Sequence, residues 1–165
     1  GLLAQAQVAK GRLDEAEASL HRRVVILRKR LSGTEADGAL IELAVAQHDR
    51  AELLHKAGKT DAAAALLVDA IDLTDKHAAR TGTGNHKVRV RVALAYAALH
   101  LHGKIDAQRI AKDPASVLEV VHNALSRRPN PARAAERFTV GTTLALLRVN
   151  NPPKSAGVTG NGAKP

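Results

Sequence analysis

An all-α fold, a right-handed α-solenoid of about three helical hairpins plus a closing helix, is what this sequence predicts. Three observations point to it. Apolar and small residues recur at helical spacing through most of the chain, with Leu43, Ala44, Ala46, Ala51 and Leu54 on one side of Gly58 and Ala63, Leu66, Leu67, Ala70 and Ile71 on the other. A Gly-x-x-Asp-x-Ala turn stands at Gly11 and again at Gly58, and Gly103 opens a third, partial copy, so the turn glycines are spaced 47 and 45 residues apart. Finally, no run of β-branched residues reads convincingly as a strand. Val88-Arg89-Val90-Arg91-Val92 alternates as one would, but it continues into Ala93-Leu94-Ala95-Tyr96-Ala97, which favours a helix start.

In chain order, the first unit spans about 1–32, folded about Gly11, with Ala4 before the turn and Ala16 and Leu20 after it. The second, about 36–80, is the clearest: Gly58 closes one helix in the left-handed conformation and the Thr60 hydroxyl caps the next. The third, about 86–128, departs from the pattern after Gly103. Gln108 and Lys112 stand where alanine and leucine belong, and Asp113-Pro114 restarts a helix as N-cap and first helical residue. Asn130-Pro131 repeats that start signal for a closing helix over 131–149, in which Ala134, Ala135, Phe138, Leu144 and Leu147 would cover the end of the stack. Residues 150–165 are Pro, Gly, Ser, Asn and Lys-rich and are expected to be a disordered tail.

The spacing about Gly58 resembles a tetratricopeptide repeat (TPR): Ala51 seven residues before the glycine, Ala63 five after, Leu67 nine after and Ala70 twelve after. The unit about Gly11 follows the same pattern, with Arg23 in the place of the last small residue. The period is longer than the basic unit of about 34 residues, as in kinesin-light-chain-like and bacterial regulatory members of the family, and HEAT-like repeats of about 40–47 residues are the alternative. The resemblance implies that the first helix of each hairpin lines a concave, partner-binding groove. Its positions would be Val45, His48, Asp49, Glu52, His55 and Lys56 in the second unit, and Val90, Ala93, Leu94, Ala97, His100 and Leu101 in the third. One half of that surface is polar and titratable, the other apolar. A clamp for a terminal carboxylate, known in the family, is not expected, because Glu52 stands where a neutral amide would be needed.

The chain carries 25 Lys and Arg against 16 Asp and Glu, a net charge of +9. The densest basic patch is Arg22, Arg23, Arg28, Lys29 and Arg30, with smaller groups at Lys87, Arg89 and Arg91 and at Arg127, Arg128, Arg133 and Arg137. Such charge suits a solvated helix face, an acidic partner or nucleic-acid phosphate. Tyr96 and Phe138 are the whole aromatic content, which leaves single-stranded nucleic acid little to stack on. The absence of cysteine excludes a disulfide framework and thiol chemistry and suits the cytoplasm, the expected location. The first residue is Gly1 rather than Met, and the first unit lacks most of an opening helix; both read as a piece of something longer.

Chemical motifs are few. Gly58-Lys59-Thr60 ends like a phosphate-binding P-loop, but Leu53 stands where its first glycine belongs. Thr81 to Lys87, with two glycines, reads as a connector. His48 and His55 are two helical turns apart and His100 and His102 diverge on a helix, so no metal set is expected. No nucleophile, base and orienting acid fall together. The expectation is therefore a non-catalytic protein-protein interaction module without cofactor, part of a scaffold or regulator, binding a peptide or partner helix. A phosphate-binding nucleic-acid module and a homo-oligomeric structural subunit are the alternatives.

Overall fold

The computed structural model describes residues 2–31, 36–82, 86–102, 105, 111–127 and 130–150, with the side chains of all but 2–10 and 86. These residues form an all-α protein: α1 (Leu2–Arg30), α2 (Ala36–Lys56), α3 (Thr60–Thr81), α4 (His86–His102), α5 (Pro114–Arg127), a short 3-10 turn (Pro131–Arg133) and α6 (Ala134–Asn150). None of the helices is long and apolar enough to cross a membrane. The expected turn at Gly103, the centre of the Thr81 to Lys87 connector and the tail past Asn150 lie outside the described residues.

The turn at Gly58 forms as its sequence suggests. Gly58 has φ +76°, its N–H donates to the His55 carbonyl at 2.9 Å, and the Lys59 N–H donates to that of Leu54 at 2.9 Å. These are the two bonds of a left-handed helix C-cap, and they satisfy carbonyls that the helix end would otherwise orphan. Thr60, however, does not cap α3: it is the first helical residue, and Lys59 precedes it with no side-chain cap. Gly82 closes α3 with φ +67°.

The turn expected at Gly11 is absent. α1 runs unbroken through that position, and positive φ is confined, among the described residues, to Gly58 and Gly82. A lone glycine costs a helix only about 1 kcal/mol relative to alanine, and Arg12, Leu13, Glu15 and Ala16 restore it. What the unbroken helix gains is apolar packing with α2: Val24 and Leu27 are buried, and Leu31 just past its end packs against the same core. α1 is therefore one long helix packed on α2, and the hairpin expected about Gly11 does not form.

Both cap-plus-proline starts hold. Asp113 accepts hydrogen bonds from the Ser116 N–H at 2.8 Å and hydroxyl at 2.6 Å, with Pro114 at the first position of α5. Asn130 accepts from the Ala132 N–H at 2.9 Å ahead of α6. Gly141 does not interrupt α6; the hydroxyls of Thr139, Thr142 and Thr143 turn back onto carbonyls four residues earlier.

Two hydrophobic cores result, and α4 belongs to both. Val92, Tyr96 and Leu99 enter the first core with Leu43, Leu54, Leu67 and Ile71. Val90, Ala93 and Ala97 enter the second with Leu118, Val121, Leu125, Val140, Leu144 and Leu147. An apolar residue on nearly every side of α4 is what a helix walled in on both sides requires. The most extensive helix contact is α2 with α3, where Ala44, Ala46, Ala63 and Ala70 are all fully buried and let the backbones approach. Ion pairs stitch neighbouring helices: Arg30 to Glu42 (3.1 Å), Arg80 to Asp37 (2.8 Å), Arg89 to Asp75 (2.6 Å) and Arg148 to Glu119 (3.1 Å). Exposed pairs of this kind contribute on the order of 0–1 kcal/mol each, so they orient the helices more than they hold them.

Candidate functional site

α2 and α4 touch, and the gap between them is floored by Leu67 of α3. The cleft there has a volume of about 220 Å³ and is lined by Ala51, Glu52 and His55 from α2 and by Ala95, Ala98, Leu99 and His102 from α4. Its walls are small or apolar, and its rim carries one carboxylate and two imidazoles. Leu67 and Leu99 are buried members of the first core, so the floor is rigid, whereas Glu52, His55, Ala98 and His102 are exposed.

At the end of this face toward the start of α4, Arg91 donates to Asp49 at 3.1 Å and ties the two helices together. Beneath that pair lies His48, 2% exposed. Its Nδ1 is 3.5 Å from Asp49 and its Nε2 is 3.9 Å from Glu52. Burial holds the His48 pKa below the ordinary imidazole range, and Arg91 adds to that; Glu52 and Asp49 act in the opposite direction without prevailing.

His48, Asp49 and Glu52 bring one possible ligand atom each within 4.8 Å, a juxtaposition that the spacing of histidines alone does not reveal. The arrangement nevertheless suits a metal poorly. Arg91 already neutralises Asp49.

Of the positions assigned to the groove, Glu52 and His55 line the cleft, Asp49 stands at its end, Val45 is half-buried and Lys56 is exposed. His48 is a correction: it lies under the surface, not on it. Val90 and Ala97, at 6% and 0% exposure, are a second correction, being walls of the second core, and Leu94 and Leu101 pack against the same core. His100 points elsewhere, edge-on to the Tyr96 ring with centroids 4.6 Å apart. Burial lowers its pKa, with Asp113 opposing. Tyr96 donates its hydroxyl to the Lys112 carbonyl at 2.7 Å.

The face that α4 turns to the cleft is thus Arg91, Ala95, Ala98 and His102, spaced four, three and four. The reason for the misplaced register is physical: a helix with apolar residues on nearly every side offers little phase to read. The available signal was the small pair Ala95 and Ala98, three residues apart, facing Ala51.

The basic patch on α1 is exposed throughout, and Arg22, Arg23, Lys29 and Arg30 share one side of the helix, within about 120° of one another. Arg28 alone stands off that side, about 120° around the helix from Arg22. Arg30 pairs with Glu42, and Arg22 donates to Ser19 at 3.3 Å. Arg89 and Arg91, from the second basic group, are both held by carboxylates of neighbouring helices.

No family model, no curated protein and no solved structure matches this chain.

Proposed function

We propose that this chain is a non-catalytic protein-interaction module, a right-handed α-solenoid of TPR-like hairpins in a cytoplasmic scaffold or regulator, whose α2–α4 cleft takes one apolar side chain of a partner peptide or helix. The observation that carries the reading is the cleft itself. At about 220 Å³ it falls below the roughly 300–1,000 Å³ of small-molecule sites. A single anchoring side chain fits it, and anchors of that kind dominate peptide recognition. Glu52, His55 and His102 on the rim would select polar neighbours of that anchor.

Two features support the solenoid. Each helix packs on its chain neighbours, and α2 also meets α4 as α4 meets α6, which is the pattern of a layer formed by every second helix. The TPR-like residues Ala51, Ala63, Leu67 and Ala70 are all buried between helices, as the family's packing requires. Against the nucleic-acid alternative stands the near absence of aromatic side chains on which bases could stack.

The test is selection from a displayed random-peptide library on the whole chain, followed by affinity measurement with two variants. Selected peptides should share one large apolar residue. Ala98→Trp, at an exposed position, fills the cleft and should abolish their binding, whereas Ala98→Ser should preserve it. Peptides indifferent to Ala98→Trp would refute the assignment.

A further inference from the structure

On the far side of the second core, α6 turns an apolar stripe outward. Phe138, Thr142, Ala145 and Val149 are spaced four, three and four, opposite the buried Val140, Leu144 and Leu147. Phe138 is 75% and Val149 78% exposed, unusual values for large apolar side chains. Beside the stripe an open groove of about 870 Å³ runs between α5 and α6, floored by Ala134, Gly141 and Ala145 and walled by His122 and Phe138. At Gly141 the helices come close: a Cβ there would stand 3.4 Å from the His122 ring, in ordinary contact.

Arg137 lines this groove, and the segment that builds it is rich in arginine. Residues 114–150 hold five arginines against two glutamates. Arg148 is paired with Glu119, while Arg127, Arg133 and Arg137 pair with no carboxylate among the described residues. An apolar groove lined by Arg137, in a segment with an excess of arginine, is complementary to an apolar row flanked by carboxylates.

We infer that the α5–α6 groove docks an acidic amphipathic helix of a partner protein, its apolar row on Phe138, Ala145 and Val149 and its carboxylates on Arg137 and the neighbouring arginines. The chain's own residues 151–165 do not fit this role, since they contain two lysines, no acid and one large apolar residue, Val158. A second copy meeting the groove face to face would set arginine against arginine. The surface shares no residue with the α2–α4 cleft, and the inference goes beyond that reading without resting on it.

The test uses the whole chain and two labelled, stapled helical peptides that share a leucine row, one flanked by glutamates and the other by lysines, with binding read by fluorescence anisotropy. The glutamate peptide should bind, more weakly as salt rises, and its lysine twin should not. Phe138→Ala and Arg137→Glu should each weaken binding roughly tenfold, with unchanged circular dichroism melts because both positions lie outside the core. Lys76→Glu on α3 and Ala98→Trp should leave it unchanged, which separates failure here from failure of the cleft. Equal binding of the two peptides, indifference to Phe138→Ala, association with phosphatidylserine vesicles in place of the peptide, or a Phe138-dependent dimer would each overturn the proposal.

Discussion

Gly11 and Gly58 sit in nearly the same local sequence and should respond oppositely to alanine. At Gly11 the helix continues, the position is exposed, and an added Cβ meets nothing within 4 Å. Alanine there should stabilise by up to about 1 kcal/mol, the helix-propensity difference. At Gly58 an added Cβ also meets nothing, but φ is +76°. An L-residue in that conformation costs roughly 1–2 kcal/mol, so Gly58→Ala should destabilise by that amount although no contact is disturbed. The two variants should therefore differ by about 2–3 kcal/mol, the sum of the two effects. Urea unfolding followed by circular dichroism measures this directly. For a chain of this length each kcal/mol corresponds to about 2–4 °C in Tm, so thermal melts would separate the variants clearly. A Gly11→Ala variant destabilised as much as Gly58→Ala would mean that Gly11 is a turn after all, and would restore the first hairpin.

Two further predictions concern the core and the cleft. Leu118, fully buried in the second core, should cost about 2–5 kcal/mol when truncated to alanine, the usual range for a transfer-plus-cavity loss; a cost under 1 kcal/mol in the same denaturation assay would mean that α5 does not pack on α4 as described. His48 has a folded pKa below its unfolded value, so the unfolded chain binds its proton first as pH falls. Its contribution to stability is full above about 6.5, the unfolded value, and declines below it until the folded pKa is reached, by at most about 1.4 kcal/mol per pH unit. His100 is shifted the same way and adds to the trend. Unfolding free energies at successive pH values between 7.5 and 5 should fall, and His48→Gln should flatten part of that fall; an unchanged profile would show that His48 is solvated.

The parts of the fold legible in the sequence were those fixed by local chemistry. Asp113-Pro114 and Asn130-Pro131 start helices because a short side chain can reach the backbone N–H groups within the next turn, whatever lies beyond. Gly58 was legible for the same reason. Gly11 was not, because whether a glycine ends a helix depends on what the following residues can bury. After Gly58 the chain buries Ala63, Leu67 and Ala70 against α2; after Gly11 the corresponding position is Arg23, exposed. The cleft was half legible. Glu52 and His55 lie on a helix with one polar side, whereas α4 offered no such orientation, and His48 disappeared beneath an ion pair between Asp49 and Arg91 that are 42 residues apart.

The double membership of α4 has a consequence for how the molecule can change. Tyr96 and Ala97 are adjacent in sequence, face different cores and have no side-chain business with one another. A larger residue at Ala97 must push the helix axis toward Tyr96, and a smaller one at Tyr96 lets it settle the other way. Drift at one position therefore alters the tolerance of the other, so their effects should be non-additive and the two halves of the molecule would have to diverge in step.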